Sequence, residues 1–197
     1  MRNAIYPSKS LTPVIATIIC FALSAAADGA ILIWGEGKWG DTWAVSGSQI
    51  SNPPPERPGV SFNGTFADTN ARFAIGLTRN DGTTYTSNAS AGETVRIIGI
   101  IRPEAEHVGQ PADIYVADRT NLVFTMKTPE GIFVPWNARV PDLRPFLEGV
   151  ILEESLEVDI FTGRLGLSGD HRIFLGYMPA DGILRFTPAP ERLNITD

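Results

Sequence analysis

The sequence predicts an all-β fold: a β-sandwich of about eight strands, preceded by a Trp/Gly-rich strand and a proline-rich linker. Two observations carry this. Beyond residue 27, apolar and polar positions alternate with period two, and no stretch sustains the period of an amphipathic helix. Between the alternating runs lie short clusters of Gly, Pro, Asn and Asp, the spacing expected of antiparallel strands joined by turns.

Residues 1–27 stand apart as a signal peptide. Arg2 and Lys9 give a positive start, and Leu11 to Leu23 an apolar stretch interrupted by Thr12, Pro13 and Thr17. Ser24-Ala25-Ala26-Ala27 then offers small residues before Asp28, the pattern a signal peptidase reads. The apolar run is short and interrupted for a bilayer core of about 30 Å, so cleavage after Ala27 and no stable membrane insertion are expected. The only cysteine, Cys20, lies inside this stretch behind Ile18 and Ile19. The exported chain then has no thiol, disulfide or Cys-ligated metal, and its core alone must hold it. Export also removes two of the 16 Lys and Arg and none of the 22 Asp and Glu, so the product is more acidic than the whole chain at −6. An acidic chain without a basic cluster argues against nucleic-acid partners.

Residues 28–60 form the expected N-terminal segment. Ala30-Ile-Leu-Ile-Trp34 reads as a strand, and Gly35 to Trp43 is glycine-rich with Trp39 and Trp43 inside it. Ser51 to Gly59, with Pro53, Pro54, Pro55 and Pro58, reads as an extended linker. Residues 61–197 form the sandwich. Arg72 to Leu77 alternates up to the turn Asn80-Asp81-Gly82. Thr94 to Ile101 is apolar on both faces, which places it inside a sheet. Asp113 to Ala117 and Leu122 to Met126 make a pair joined through 118–121, and Gly131 to Val134 follows a Pro-Glu-Gly turn. Val140 to Ile151, with two prolines, reads as a crossover between two sheets with room for one helical turn. Leu156, Val158 and Ile160 share one face, and Glu157 and Asp159 the other. His171 to Tyr177 and Ile183 to Phe186 flank the turn Asp181-Gly182.

The stretch from Thr94 to Phe186 carries Ile100-Ile-Arg-Pro103, Gly109-Gln-Pro-Ala-Asp-Ile-Tyr-Val116, Gly131-Ile-Phe-Val-Pro-Trp136, and Gly169 to Tyr177 followed by Asp181-Gly182. It resembles an immunoglobulin-like β-sandwich domain of bacterial exported proteins, mostly of unassigned function. The resemblance implies an exported module, periplasmic or extracellular, that is adhesive, spacing or partner-binding.

The leading functional residues are Trp34, Trp39 and Trp43, closely spaced among glycines, where flat rings have room to stack on a sugar or a partner. The blander expectation for such rings is the core. Trp136 is expected buried, and Trp39 the most exposed tryptophan. Glu104, Glu106, His107 and Asp113 are the densest group of metal or acid-base donors, but no calcium-loop pattern or close histidine pair accompanies them. They read as solvated loop carboxylates, and no cofactor is expected. Ser168-Gly-Asp-His171 holds the residue types of a serine triad, yet strand neighbours point to opposite faces, so Asp170 cannot orient His171. The expectation is therefore a non-catalytic surface module with a protein or glycan partner, the alternative a carbohydrate-binding module using Trp34, Trp39 and Trp43. The pattern Asn-x-Ser/Thr at Asn63, Asn88 and Asn194 marks surface positions.

Overall fold

The computed structural model describes residues 54–79, 85–166 and 168–197. Trp34, Trp39 and Trp43, with residues 1–27, most of the N-terminal segment and the expected turn Asn80-Asp81-Gly82, lie outside the described residues. Those described contain thirteen strands, two single 3-10 turns and no α-helix. The strands in chain order are β1 (Arg57–Phe62), β2 (Phe66–Thr78), β3 (Tyr85–Thr86), β4 (Asn88–Ser90), β5 (Thr94–Arg102), β6 (Pro111–Thr120), β7 (Val123–Lys127), β8 (Phe133–Pro135), β9 (Leu147–Ile151), β10 (Leu156–Arg164), β11 (Gly169–Pro179), β12 (Leu184–Phe186) and β13 (Glu191–Thr196).

The expectation of about eight strands in two separate sheets is corrected here. One hydrogen-bonded path runs β10-β5-β2-β1-β12-β11-β6-β7-β8. Its halves are joined by two short strands: β1 pairs with β2 on one side and with β12 on the other. The sheet curls, and the halves β10-β5-β2 and β11-β6 face each other across one core, an arrangement compatible with a sandwich. Phe73 of β2 meets Tyr177 of β11, ring centres 6.2 Å apart. Gly99 of β5 leaves room for Leu175, whose methyl would lie 2.5 Å from a Cβ there. Ile97, Ile101, Ile114, Ile160 and Ile173 are fully enclosed. Each such side chain contributes about 1.5–3 kcal/mol on burial.

Individual elements follow their sequence with four differences. The segment read as a linker enters the sheet at Arg57. Pro58 is tolerated because the β1–β2 register shifts between Pro58 and Val60. Gly59 allows the Phe73 ring to lie where its Cβ would be. The β6–β7 turn is tighter than 118–121: Asn121 and Leu122 alone form it, both with positive φ, and Asp118 stays in the strand. The 140–151 crossover has the single helical turn its sequence allows, Val140–Asp142, but then forms a strand, β9, which pairs with β6. Finally, β13 adds a strand on β11 and runs parallel to β4. Asn63, Asn88 and Asn194 are exposed, the last two within this parallel pair. As the sequence predicts, β5 is buried on both faces: Ile98 and Ile100 pack with Ala74 and Tyr85 on the side away from the main core.

Candidate functional site

Three groups of polar or aromatic side chains stand out. The first lies where the 3-10 turn Ala105–His107 meets the β11–β12 turn. Glu104, Glu106 and His107 bring ligand atoms within 4.8 Å of one another. Asp113 is not among them; its carboxylate accepts the Gly149 N–H at 3.0 Å. Glu104 is not the solvated carboxylate the sequence suggests. It is nearly buried, accepts from the Thr69 hydroxyl and the Asn70 amide, and takes the Arg185 Nε–H at 3.0 Å. Burial alone would raise its pKa; the Thr69, Asn70 and Arg185 donors outweigh that and hold its carboxyl below the ordinary value. Arg185 also donates to both oxygens of Asp181, at 2.9 and 2.7 Å. The Tyr177 hydroxyl accepts the Glu104 N–H and lies 3.1 Å from His107 Nδ1. Burial pushes this phenol up to about 12.

Glu104, one of the three ligand candidates, is thus already paired with the Arg185 guanidinium, which bridges it to Asp181. The carboxylates have a resident cation, so the cluster ties the turns after β5 and β11 together.

The second group is an inward-facing polar island. Asp118 is fully buried, with His171 and Thr120 beside it. Thr120 Oγ1 donates to Asp118 Oδ2 at 2.9 Å; His171 Nδ1 lies 2.8 Å from Thr120 Oγ1 and 3.2 Å from Asp118 Oδ2. The Arg172 amide donates to Asp118 Oδ1. A nucleophilic triad needs hydroxyl and carboxylate on opposite ring nitrogens. Here both meet Nδ1, inside the core, so the island clamps β6 to β11. Asp170 faces away and pairs with Arg172 and Arg192, as its strand position requires. Asp118, the acid that does meet His171, lies 53 positions away.

The third group is accessible. Trp136, expected buried, is half-buried. It follows the short end strand β8, its ring packs edge-on against Phe124 (6.1 Å, 87°), and its Nε1–H donates to the Arg139 carbonyl. Trp136, Pro135, Met126, Pro141 and Leu143 line an open cleft of about 790 Å³, with Asn137, Asp142 and Arg144. Pro141 and Leu143 also line a second open cleft of about 650 Å³, walled by Phe62, Tyr115, Met178 and Ile183. Both sizes suit small ligands or short chain segments. Ala138, in the loop between Trp136 and Pro141, has φ 61°, a conformation costly for a residue with a Cβ.

Comparison with protein-family models, with curated proteins and with solved structures returns no match for this chain. Among the described residues no helix is long and apolar enough to cross a membrane.

Proposed function

We propose that this chain is a non-catalytic exported module that binds a partner outside the cytoplasm, in the periplasm or at the cell surface. The observation that carries the reading is the division of its side chains. Glu104, His107, Asp118 and His171 are buried or nearly so and bonded to neighbouring side chains, whereas the open clefts are walled mainly by Trp136, Phe62, Tyr115, Met178 and prolines; of the charged groups in those clefts, Asp181 is held by Arg185 and Asp142 accepts from Asn137. Acid-base or nucleophilic chemistry needs groups of the first kind in places of the second. Apolar and aromatic walls at an open surface suit recognition. The resemblance of 94–186 to immunoglobulin-like domains of bacterial exported proteins agrees with such a role.

A second reading, carbohydrate binding, is favoured by Trp136 specifically: a half-exposed indole, braced edge-on by Phe124, at the lip of a cleft. The sequence places Trp34, Trp39 and Trp43 as further rings for the same purpose. The test is a glycan array together with a pull-down from extracellular material, using the exported chain and Trp136→Ala. Binding weakened by the substitution at unchanged melting temperature supports the reading. Equal capture by wild type and variant removes Trp136 from it, and blank results in both assays refute a binding role. Mass spectrometry of secreted protein is expected to find Asp28 at the N-terminus, or Ala27 if cleavage shifts by one residue; material retaining Met1 to Ala26 refutes export by cleavage.

A further inference from the structure

The strand register draws a line of side chains that no local sequence pattern contains. Arg192 of β13 is opposite Arg172 of β11; Arg172 is opposite Arg119 of β6; Arg119 is opposite Phe124 of β7. Cross-strand partners share a face, so these four stand in one row across four strands, about 14 Å long at the usual strand spacing. Trp136 extends the row, its N–H on the Phe124 carbonyl and its ring against Phe124. The Arg119 guanidinium lies 5.7 Å from the Phe124 ring centre.

This row works against stability. Like charges directly opposite one another on a sheet repel, and here two such pairs are consecutive. One acid offsets them: Asp170 bonds Arg192 at 2.8 Å and Arg172 at 3.3 Å. Among the described residues no acid pairs with Arg119. The Arg172 and Arg192 side chains remain 41% and 67% exposed, so the cations are reachable. The rest of the chain is acidic, at −6 overall, which makes three aligned arginines a local reversal of field.

We propose that this row binds an anionic polysaccharide of uronic-acid type, with the arginines on successive sugar carboxylates and Phe124 and Trp136 against the flat face of a neighbouring ring. The inference rests on the carbohydrate reading above and specifies its ligand class. Guanidinium forks match carboxylates two bonds at a time and tolerate crowding better than ammonium groups. Adjacent strands offer one fork about every 4.8 Å, so the row matches a ligand with closely repeated acids. The rings ask for an apolar flat surface beside those acids, which a pyranose has and an acidic peptide side chain lacks.

The experiment titrates the exported chain with oligogalacturonate, a neutral dextran of matched length, and poly-glutamate, at low and high salt. Oligogalacturonate is expected to bind, more weakly at high salt, and dextran not to bind. Arg119→Gln and Arg172→Gln are each expected to lose about five- to tenfold in affinity. Trp136→Ala is expected to weaken binding without changing its salt dependence. Arg119→Gln relieves one repulsive pair and should melt at or above the wild-type temperature; Arg172→Gln relieves two but loses the Asp170 ion pair and should melt close to it, so melts of both variants separate lost binding from lost folding. If dextran binds as well and the arginine variants are silent, the anionic ligand is wrong while carbohydrate binding survives. Should poly-glutamate bind equally and Trp136→Ala have no effect, the row serves an acidic protein partner and the glycan proposal fails. No binding by any probe overturns the proposal, and blank glycan-array and pull-down results besides would overturn the broader reading.

Discussion

Lys127 offers the sharpest test of how this fold is held together. It is one of three lysines in the chain, with Lys9 and Lys38, and is 2% exposed. Its Nζ donates to the carbonyls of Ile160 at 2.6 Å and Asp159 at 3.3 Å, and lies 3.8 Å from the centre of the Phe146 ring. Those carbonyls sit where the β10–β5 register shifts; a bulge leaves ladder groups unpaired, and the ammonium supplies the missing donor from the opposite end of the sheet path. Burial drives the Lys127 pKa from 10.5 down to about 7, against the pull of Asp159. In the unfolded chain the same amine titrates near 10.5. Below pH 7 both states are protonated and the folded state bears the full desolvation cost. Between pH 7 and 10.5 the unfolded state holds the proton more tightly, so stability rises with pH. At about 1.4 kcal/mol per pH unit the ceiling is about 5 kcal/mol, a large part of the ~5–15 kcal/mol typical of a domain. The two carbonyls and the Phe146 face favour the ammonium, so the measured rise should fall short of that ceiling. Above pH 10 the trend reverses, because Tyr85 and Tyr177, both pushed up by burial to about 12, ionise first in the unfolded chain. Urea unfolding at intervals from pH 6 to 10 measures the slope. Lys127→Met is the control. It removes a buried charge but leaves two carbonyls short of a donor, at about 1–3 kcal/mol each, so its stability at neutral pH is a near-cancellation while its slope should vanish. A flat wild-type profile, or a slope that persists in Lys127→Met, refutes the argument.

Tyr177→Phe leaves the Glu104 amide without its acceptor and should cost about 1–3 kcal/mol in urea unfolding; a neutral result would mean water replaces the hydroxyl. Gly176→Ala puts a Cβ 2.8 Å from the Arg185 carbonyl, backbone that cannot swing aside, and should destabilise more than Gly99→Ala, where the obstacle is a Leu175 methyl; circular-dichroism melts rank the two. Chelator should leave the melting temperature unchanged, since Glu104, the carboxylate shared by the Glu104, Glu106 and His107 group, already accepts from Thr69, Asn70 and Arg185. A bound metal at a hundredfold excess over its dissociation constant would contribute about 2.7 kcal/mol, so a clear drop on chelation would expose a site.

Alternation with period two is a local property, and the sequence displays it wherever a strand has one buried face. The cores of β2, β5, β6, β7, β10 and β11 are legible for that reason, as are the Asp181-Gly182 turn and the two-sided burial of β5. Short strands leave less trace. In β13 only Leu193 and Ile195 alternate inward, and Asn194-Ile-Thr196 reads first as a surface motif. That the two halves belong to one continuous sheet was not legible, because it depends on β1 and β12 bridging them. The functional residues divide the same way. Residue types near Glu104 and His171 are visible in the chain, but their partners are not: Arg185 lies 81 positions from Glu104, and Asp118 lies 53 from His171. The sequence by itself determined strand-forming segments, turns and the acidic balance, since each is fixed by neighbours within a few residues. Tertiary structure alone decided that an arginine fills the carboxylate cluster, that a lysine caps the opposite end of the sheet, and that Arg192, Arg172, Arg119 and Phe124 stand in a row. Those contacts are set by strand register, which shifts every partner when it slips by one residue and is chosen by the packing of the whole core.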